Sequence, residues 1–517
     1  MRQAQMLDVV TPGSNGLNLQ QAGQLLTPNW ATRAHNAVVD DARRLACRGG
    51  YSVTTTTPIS PAVNVLSLHE YQKHTGEVQT IIGYNGGISK SVLDPEGDDI
   101  SGAVTDTSGF WRFQNYNDKV IGFQHSLKPI VYSGTTFATI TESSGTAPTS
   151  HNGVGLCAYG RVWGLDSDGQ TIKYSGLLDE TDWGTVSAGS IDMGKVWPGG
   201  VDEVTAIAGF NNSLVVFGKN NIVIWDDITG SRLGLDAANL IVVDTIQGAG
   251  CLSQHTVCHV GDGDLLFLSR NGVQSLGRIM QERSNPLTNI SKNVRDALVN
   301  DVLDATSLDD LRAVYYPKDG IYILSIPTSS EPKSWVFDVK KPFKDQDGDV
   351  VYPVTTWGLA PRALLANKAN ALLMGGSAVV WTYSSTTLAD DDETIDFSFH
   401  SPWMDLGEEL ANRLKVMKRL SVIVYASTNT ILNLKYAKDF QSDDLEVLTR
   451  LVSAIAGSEY GIAEYGLDEY GGGLSLRIVK FSARGTGQYF KVKLEAAVNA
   501  GFALQQYEIF TKIGRVA

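Results

Sequence analysis

Short runs of β-branched and aromatic residues, each cut off by Gly, Asn or Asp, recur along the whole of this 517-residue chain. Runs at 119–123, 214–217, 222–225, 265–268, 322–326 and 491–494 are typical. Such residues suit a pleated, half-buried surface. The steps Asn85-Gly86, Asp168-Gly169, Asn271-Gly272 and Asp319-Gly320 suit tight hairpins. The 52 glycines therefore read as the punctuation of a repeated hairpin system. The chain is expected to be all-β.

The repeat has a coarse period. The first apolar strand of each unit centres near Ile82, Phe123, Trp163, Phe217, Phe267, Ile323 and Met374, 40 to 56 residues apart. Four short antiparallel strands and their turns need ~40–50 residues, the length of a propeller blade. The expectation is a β-propeller over 51–390, of seven blades by this count and six to eight given the irregular period. A stack of sandwiches is the rival all-β arrangement. Residues 1–50 are expected to form an N-terminal arm leading into the first blade. Ile290, Val294, Leu298 and Val302 recur at i+4, which predicts one inserted helix near 289–303.

The acid run Asp390-Asp391-Asp392-Glu393 marks the expected domain boundary. Beyond it strands lengthen and alternate apolar with polar residues, as at 418–425, 475–481 and 489–495. Alternation means sheets with one wet face, so 391–517 are expected to form a β-sandwich-like domain. A loop insertion is expected at 441–473, where Glu-Tyr-Gly recurs every five residues. That period is neither helical nor strand-like. Tyr460, Tyr465 and Tyr470 are the candidate contact residues, since tyrosine offers contact area at low entropic cost.

Composition excludes several function classes. Asp and Glu total 56 against 42 Lys and Arg, a formal charge of −14, the wrong sign for a general nucleic-acid binder. Cys47, Cys157, Cys251 and Cys258 form no CxxC pair and read as small buried hydrophobes. The polar, early-acidic N-terminus does not read as a signal peptide, and no apolar run approaches the ~20 residues that span a bilayer. No membrane insertion by this chain is expected.

Catalytic and metal signals are weak. Asp345-x-Asp347-x-Asp349 begins like a calcium loop, but its glycine is misplaced and Thr356 stands where a bidentate Glu is needed. A solvated acidic turn is the expectation. His255 and His259 stand four apart without the Glu of a zinc-protease motif. The segment 166–171 partly resembles the Asp-box turn of sialidase-like propellers, and reads as a hairpin. Neither cofactor nor metal nor catalytic residues are expected, although a carboxylate pair from distant strands would leave no local trace.

Several segments, in order, resemble one family. These are Gly16-Leu-Asn-Leu19, the stretch 36–51 ending Arg48-Gly-Gly-Tyr51, and Arg161-Val-Trp-Gly-Leu165 with Tyr174-Ser175 and Asp182-Trp183. The stretches 215–225, 266–276, 290–298 and 483–494 continue the likeness. Together they look like tail nozzle or hub (stabilisation) proteins of short-tailed bacteriophages. The resemblance implies a structural virion protein rather than an enzyme, assembled in the host cytoplasm. It implies a ring, usually of six copies, below a tail adaptor and beside fibre, spike or needle proteins. Such a ring extends the DNA channel, retains the genome and opens for ejection, and an acidic wall lets DNA pass without specific binding. The competing expectation is a glycan-binding or glycan-cleaving propeller, a tail lectin or depolymerase.

Overall fold

The computed structural model describes residues 4–60, 63–104, 108–227, 239–282, 290–328, 332–345, 348–405, 413–441, 446–453 and 475–513. Six small sheets of three or four antiparallel strands stand as blades of a β-propeller. Five follow one another from Val65–Gln72 to Gly272–Ser275. The last blade joins Ala363–Ala366, Leu372–Gly375 and Val380–Ser384 to Gly50–Val53. The sector before it is filled by Arg312–Tyr316, Ile321–Ile326, Lys333–Asp338 and Val354–Trp357, four strands of a larger, nine-stranded sheet.

Hydrogen bonds cross from blade to blade around this ring. Ser67 Oγ donates to Gly109 O at 2.8 Å, and Tyr159 OH to Ser213 O at 2.8 Å. Gln254 exchanges two bonds with the Ile207 backbone at 2.7 and 3.1 Å, and Tyr322 OH donates to Thr256 O at 2.9 Å. Ser325 Oγ reaches Pro361 O at 2.8 Å. Lys368 N donates to Glu70 Oε2 at 2.7 Å, tying the last blade to the first. Inter-blade faces are dry and aromatic: Phe217 packs 4.9 Å from Phe267, and Trp357 stacks 5.1 Å from Tyr383.

The first fifty residues are not an arm. Ala4–Val10, Ala37–Val39 and Leu45–Cys47 belong to a seven-stranded sheet with Lys415–Ala426, Ser475–Phe481 and Phe502–Ile513. Arg33–His35 sits in the nine-stranded sheet, between Val354–Trp357 of the propeller and Ile395–His400. That sheet ends with Phe490–Val498, Thr430–Lys438 and Glu446–Val452. The two large sheets enclose a core that includes Phe399, Leu420, Leu432, Leu434, Leu494 and Leu504, all fully buried. The alternating burial of Phe490–Val498 matches the one-wet-face expectation. The chain then enters the propeller at its last blade rather than its first. A strand from the opposite end of the repeat closes the ring here, with Tyr51 paired to Tyr383.

Two details differ from the local sequence reading. The helix spans Arg295–Leu303, shorter than expected, although Ile290, Val294, Leu298 and Val302 are all buried. A second helix, Leu276–Glu282, follows the fifth blade. The expected loop insertion at 441–473 contains the strand Glu446–Val452, paired with Thr430–Lys438.

Propeller and sandwich meet around Trp357. Its ring lies against Tyr383, and Nε1 donates to Ala37 O at 3.2 Å. Nearby, the buried Arg48 grips both Asp390 oxygens at 2.8 and 2.6 Å and Asn36 Oδ1 at 3.0 Å. At Gly50 a Cβ would fall 1.9 Å from the Ala389 carbonyl oxygen, so only glycine fits there. Trp357→Ala is expected to cost ~3–5 kcal/mol through its cavity. Urea unfolding of the variant should shift as one transition. Two separated transitions would show that propeller and sandwich unfold independently.

Candidate functional site

The candidate contact residues Tyr460, Tyr465 and Tyr470 lie outside the described residues. The strands flanking them do not. Glu446–Val452 ends the nine-stranded sheet and Ser475–Phe481 ends the seven-stranded one. Leu451 is 59% exposed and Ile478 is 60% exposed. A second apolar edge lies on the propeller. Leu240–Gln247 is the outermost strand of the fourth blade, and its Val243 is 57% exposed between Val242 and Asp244. Exposed edge strands are templates for pairing unless charge or cover blunts them.

The polar candidate site is at the propeller axis, on the face where the innermost strands begin. The strands Arg112–Tyr116 and Arg312–Tyr316 start there, as do the short helical turns Gln254–Thr256 and Leu308–Asp310. Cavities of ~300–1,000 Å³ are the size expected of small-molecule sites. Here one of about 440 Å³ is lined by Phe110, Gln124, His125, Asn152, His255 and Asp309 among others. Asp310 also lines it and is itself buried.

Beneath the cavity, arginines occupy the axis. The Arg112 guanidinium donates to the Gly155 carbonyl, bridging second and third blades. Burial pushes both Arg112 and Arg312 down to about 10, so both stay charged at neutral pH. Burial first, then the fields of Arg312 and Arg112, drive His255 well below its ordinary value. Burial, opposed by a 3.0 Å bond to Asn115 and aided by Arg112, holds His69 at about 4. Thiols Cys157 and Cys258 stand in the same field, and burial raises both, Cys258 to about 12. All four cysteines are free.

Toward the rim, His125 and His151 meet edge to face at 5.7 Å. His125 Nδ1 accepts from Asn152 N at 3.0 Å. His151 Nε2 contacts Glu203 at 3.2 Å, and Lys219 Nζ reaches the other Glu203 oxygen at 2.5 Å. The Lys219 bond, and secondarily His151, hold the Glu203 carboxyl below its ordinary range. Asp168 closes its hairpin by accepting from Gln170 N, Thr171 N and Thr171 Oγ1 at 2.6 to 2.9 Å. This agrees with the hairpin reading of 166–171.

The acidic turn at 345–349 is not merely solvated. Lys292 Nζ lies 3.0 Å from Asp345 and 2.5 Å from Asp349, so a lysine fills the place of a cation. Among the described residues no group of three or more His, Cys, Asp or Glu is arranged to hold a metal ion. Another hollow, of about 330 Å³, lies between the propeller and the hairpin of Ala37–Val39 and Leu45–Cys47. There Lys341 Nζ joins Val39 O at 2.7 Å and Asp41 at 3.1 Å, which marks it as a joint.

No family model matches the chain, and no curated protein does. Among solved structures it is similar to an extracellular domain assigned to a one-component system of B. thetaiotaomicron, at 13% identity and TM-score 0.39. That match covers 90% of this chain and 64% of that one, so the chain spans just under two thirds of its neighbour's length. The computationally designed protein Ika8 is matched at 11% identity and TM-score 0.34, over 65% of this chain and 97% of that one. An exo-beta-1,3-galactanase from Phanerochaete chrysosporium is matched at 10% identity and TM-score 0.25, over 72% and 98%. At these scores the likenesses carry no argument about function.

Three half-buried histidines set a pH dependence. His35, held at about 4 by burial and then by Arg33 and Arg48, joins His69 and His255 as neutral in the folded chain. Unfolding raises each toward its ordinary ~6.5, so the unfolded chain binds more protons below that pH. Stability present at pH 7 should therefore fall as pH drops from about 6.5 toward about 4. Melting temperatures measured across this window should decline, and His69→Gln should flatten the decline. An unchanged slope in that variant would remove His69 from the account.

Proposed function

We propose that this chain is the ring-forming subunit of a short bacteriophage tail, the nozzle or hub through which DNA leaves the particle. The observation that supports this most is the pair of unlike apolar edges, one on the fourth blade at Val243 and one on the sandwich at Leu451 and Ile478. Edges of this kind on a lone soluble chain favour uncontrolled pairing. In a head-to-tail ring each is covered by the next copy, because two different surfaces of one chain form a heterologous contact, which gives a ring when its rotation closes.

Two further features fit. The nine-stranded sheet runs without a break from propeller into sandwich, which stiffens the subunit for ring packing. The −14 charge gives a surface that repels phosphates. A ring, with six copies as the reading from family resemblance, would stand under an adaptor and carry fibre, spike or needle proteins.

Electron microscopy of the purified protein should show rings, and Val243→Asp should shift them to monomers while leaving the melting temperature within about a degree or two, as for a surface change. A wild-type chain that stays monomeric at its highest soluble concentration, and is indifferent to that substitution, would overturn the proposal.

A further inference from the structure

Among the described residues no lysine or arginine lines the axial cavity, whereas Asp309 and Asp310 do. Arg312 is not part of its wall. It feels the field of both aspartates, yet its donors go to the carbonyls of Asp309 and Leu311, the latter at 2.9 Å. The two histidines of the lining add no positive charge. His255 is neutral, and His125 accepts from Asn152 N at Nδ1, so that nitrogen carries no proton. The fixed charge that a ligand would touch is therefore negative.

Asp310 sets the chemistry. It is 7% exposed, and no described residue donates a hydrogen bond to its carboxylate. Its one ion-pair contact among them is Arg362, 4.0 Å from Oδ1, which is beyond hydrogen-bond reach. The Arg362 side chain is 39% exposed, so water shares it. The Asp310 side chain keeps 9% of its own surface open. A carboxylate withdrawn from water without donors is costly, and a cation that brings its own N–H groups relieves it. Asp309, one residue earlier on the turn Leu308–Asp310, is exposed and adds a second acceptor. Phe110 is half-buried and gives the lining its aromatic ring. A metal ion fits poorly: calcium takes about six to eight oxygen ligands. Among the described residues no group of three or more His, Cys, Asp or Glu is arranged to hold one.

We propose that the axial cavity binds an alkylammonium, a small amine whose N–H groups donate to the Asp310 carboxylate. Asp309 is its second acceptor, and its methylenes lie against Phe110. A quaternary ammonium has no N–H group and cannot meet the need of Asp310. A volume of about 440 Å³ leaves room for a chain of several carbons. The proposal is independent of ring assembly, because every residue it uses comes from one chain.

The test is calorimetry on the full chain with butylammonium at neutral pH and low ionic strength. Tetramethylammonium, calcium and acetate serve as comparison probes. Butylammonium should bind, and each comparison probe should bind more weakly by about tenfold or more, or not at all. Asp310→Asn should lower the butylammonium affinity about tenfold, the scale of one charge-assisted hydrogen bond. Asp309→Asn, on an exposed turn, tests the site without threatening the fold and should weaken binding severalfold. The proposal is overturned if butylammonium does not bind at millimolar concentration. It is equally overturned if tetramethylammonium, calcium or acetate binds as tightly, or if binding is undiminished in either variant.

Discussion

The ring of sheets takes the last strand of its final blade from the opposite end of its own repeat, and that closure organises this molecule. Gly50–Val53 is the strand, and it completes the blade that ends at Ser384. The chain before Gly50 must therefore lie where the chain after Ser384 goes. That is why residues 4–47 are threaded through both sheets of the sandwich rather than left outside it. The junction is tight enough to demand glycine at position 50 and to bury Arg48 with its whole charge matched by Asp390. A buried pair of this kind tolerates neither partner's loss, since the survivor would be an unpaired charge away from water. Ring closure and domain docking thus rest on the same residues.

The parallel contact of His35 with Thr356 extends that logic into the sheet itself. Through it the propeller's sixth sector continues without a break into the sandwich, and a hinge between the two would have to break backbone pairing. Trp357, one residue along, reinforces the same point from its side chain, touching Tyr383 on the last blade and Ala37 on the hairpin.

Much of the propeller was legible because its signals are local. Alternation, β-branched residues and Asn-Gly or Asp-Gly turns act within a few residues, and they located the hairpins at 85–86, 168–169, 271–272 and 319–320. The helix was legible as a set of buried positions but not as an extent, because Ile290 and Val294 are buried ahead of the first helical turn. Closure was not legible: the partner of Tyr51 lies over 300 residues away, and nothing near residue 51 announces it. The axial site was hidden for the same reason. An Arg at the start of a strand looks alike at a surface and at an axis, so only the closed ring brings Arg112, His255, Cys258 and Arg312 into one field. Lys292 against the 345–349 turn was likewise invisible, since its partners are more than fifty residues on.

The axis also bears on where DNA would run in the proposed ring. Arg112 donates to Gly155 O, His69 bonds Asn115, and Gln114 accepts from Cys157 N, so side chains of the innermost strands join each blade to the next around the axis. A conduit through the proposed ring would run between copies, bounded by the outer surface of each subunit. The charge of that surface then matters more than that of the axis. Buried Arg48, Arg161, Arg312 and Lys415 are nearly balanced by buried Glu180, Asp182, Asp202, Asp310 and Asp338. Among the described residues the interior therefore absorbs almost none of the negative charge, and their excess carboxylates stand outside. Phosphates passing along such a wall meet repulsion that is screened within about 8 Å at physiological salt, which is close enough to prevent sticking yet too short to oppose transit along the channel.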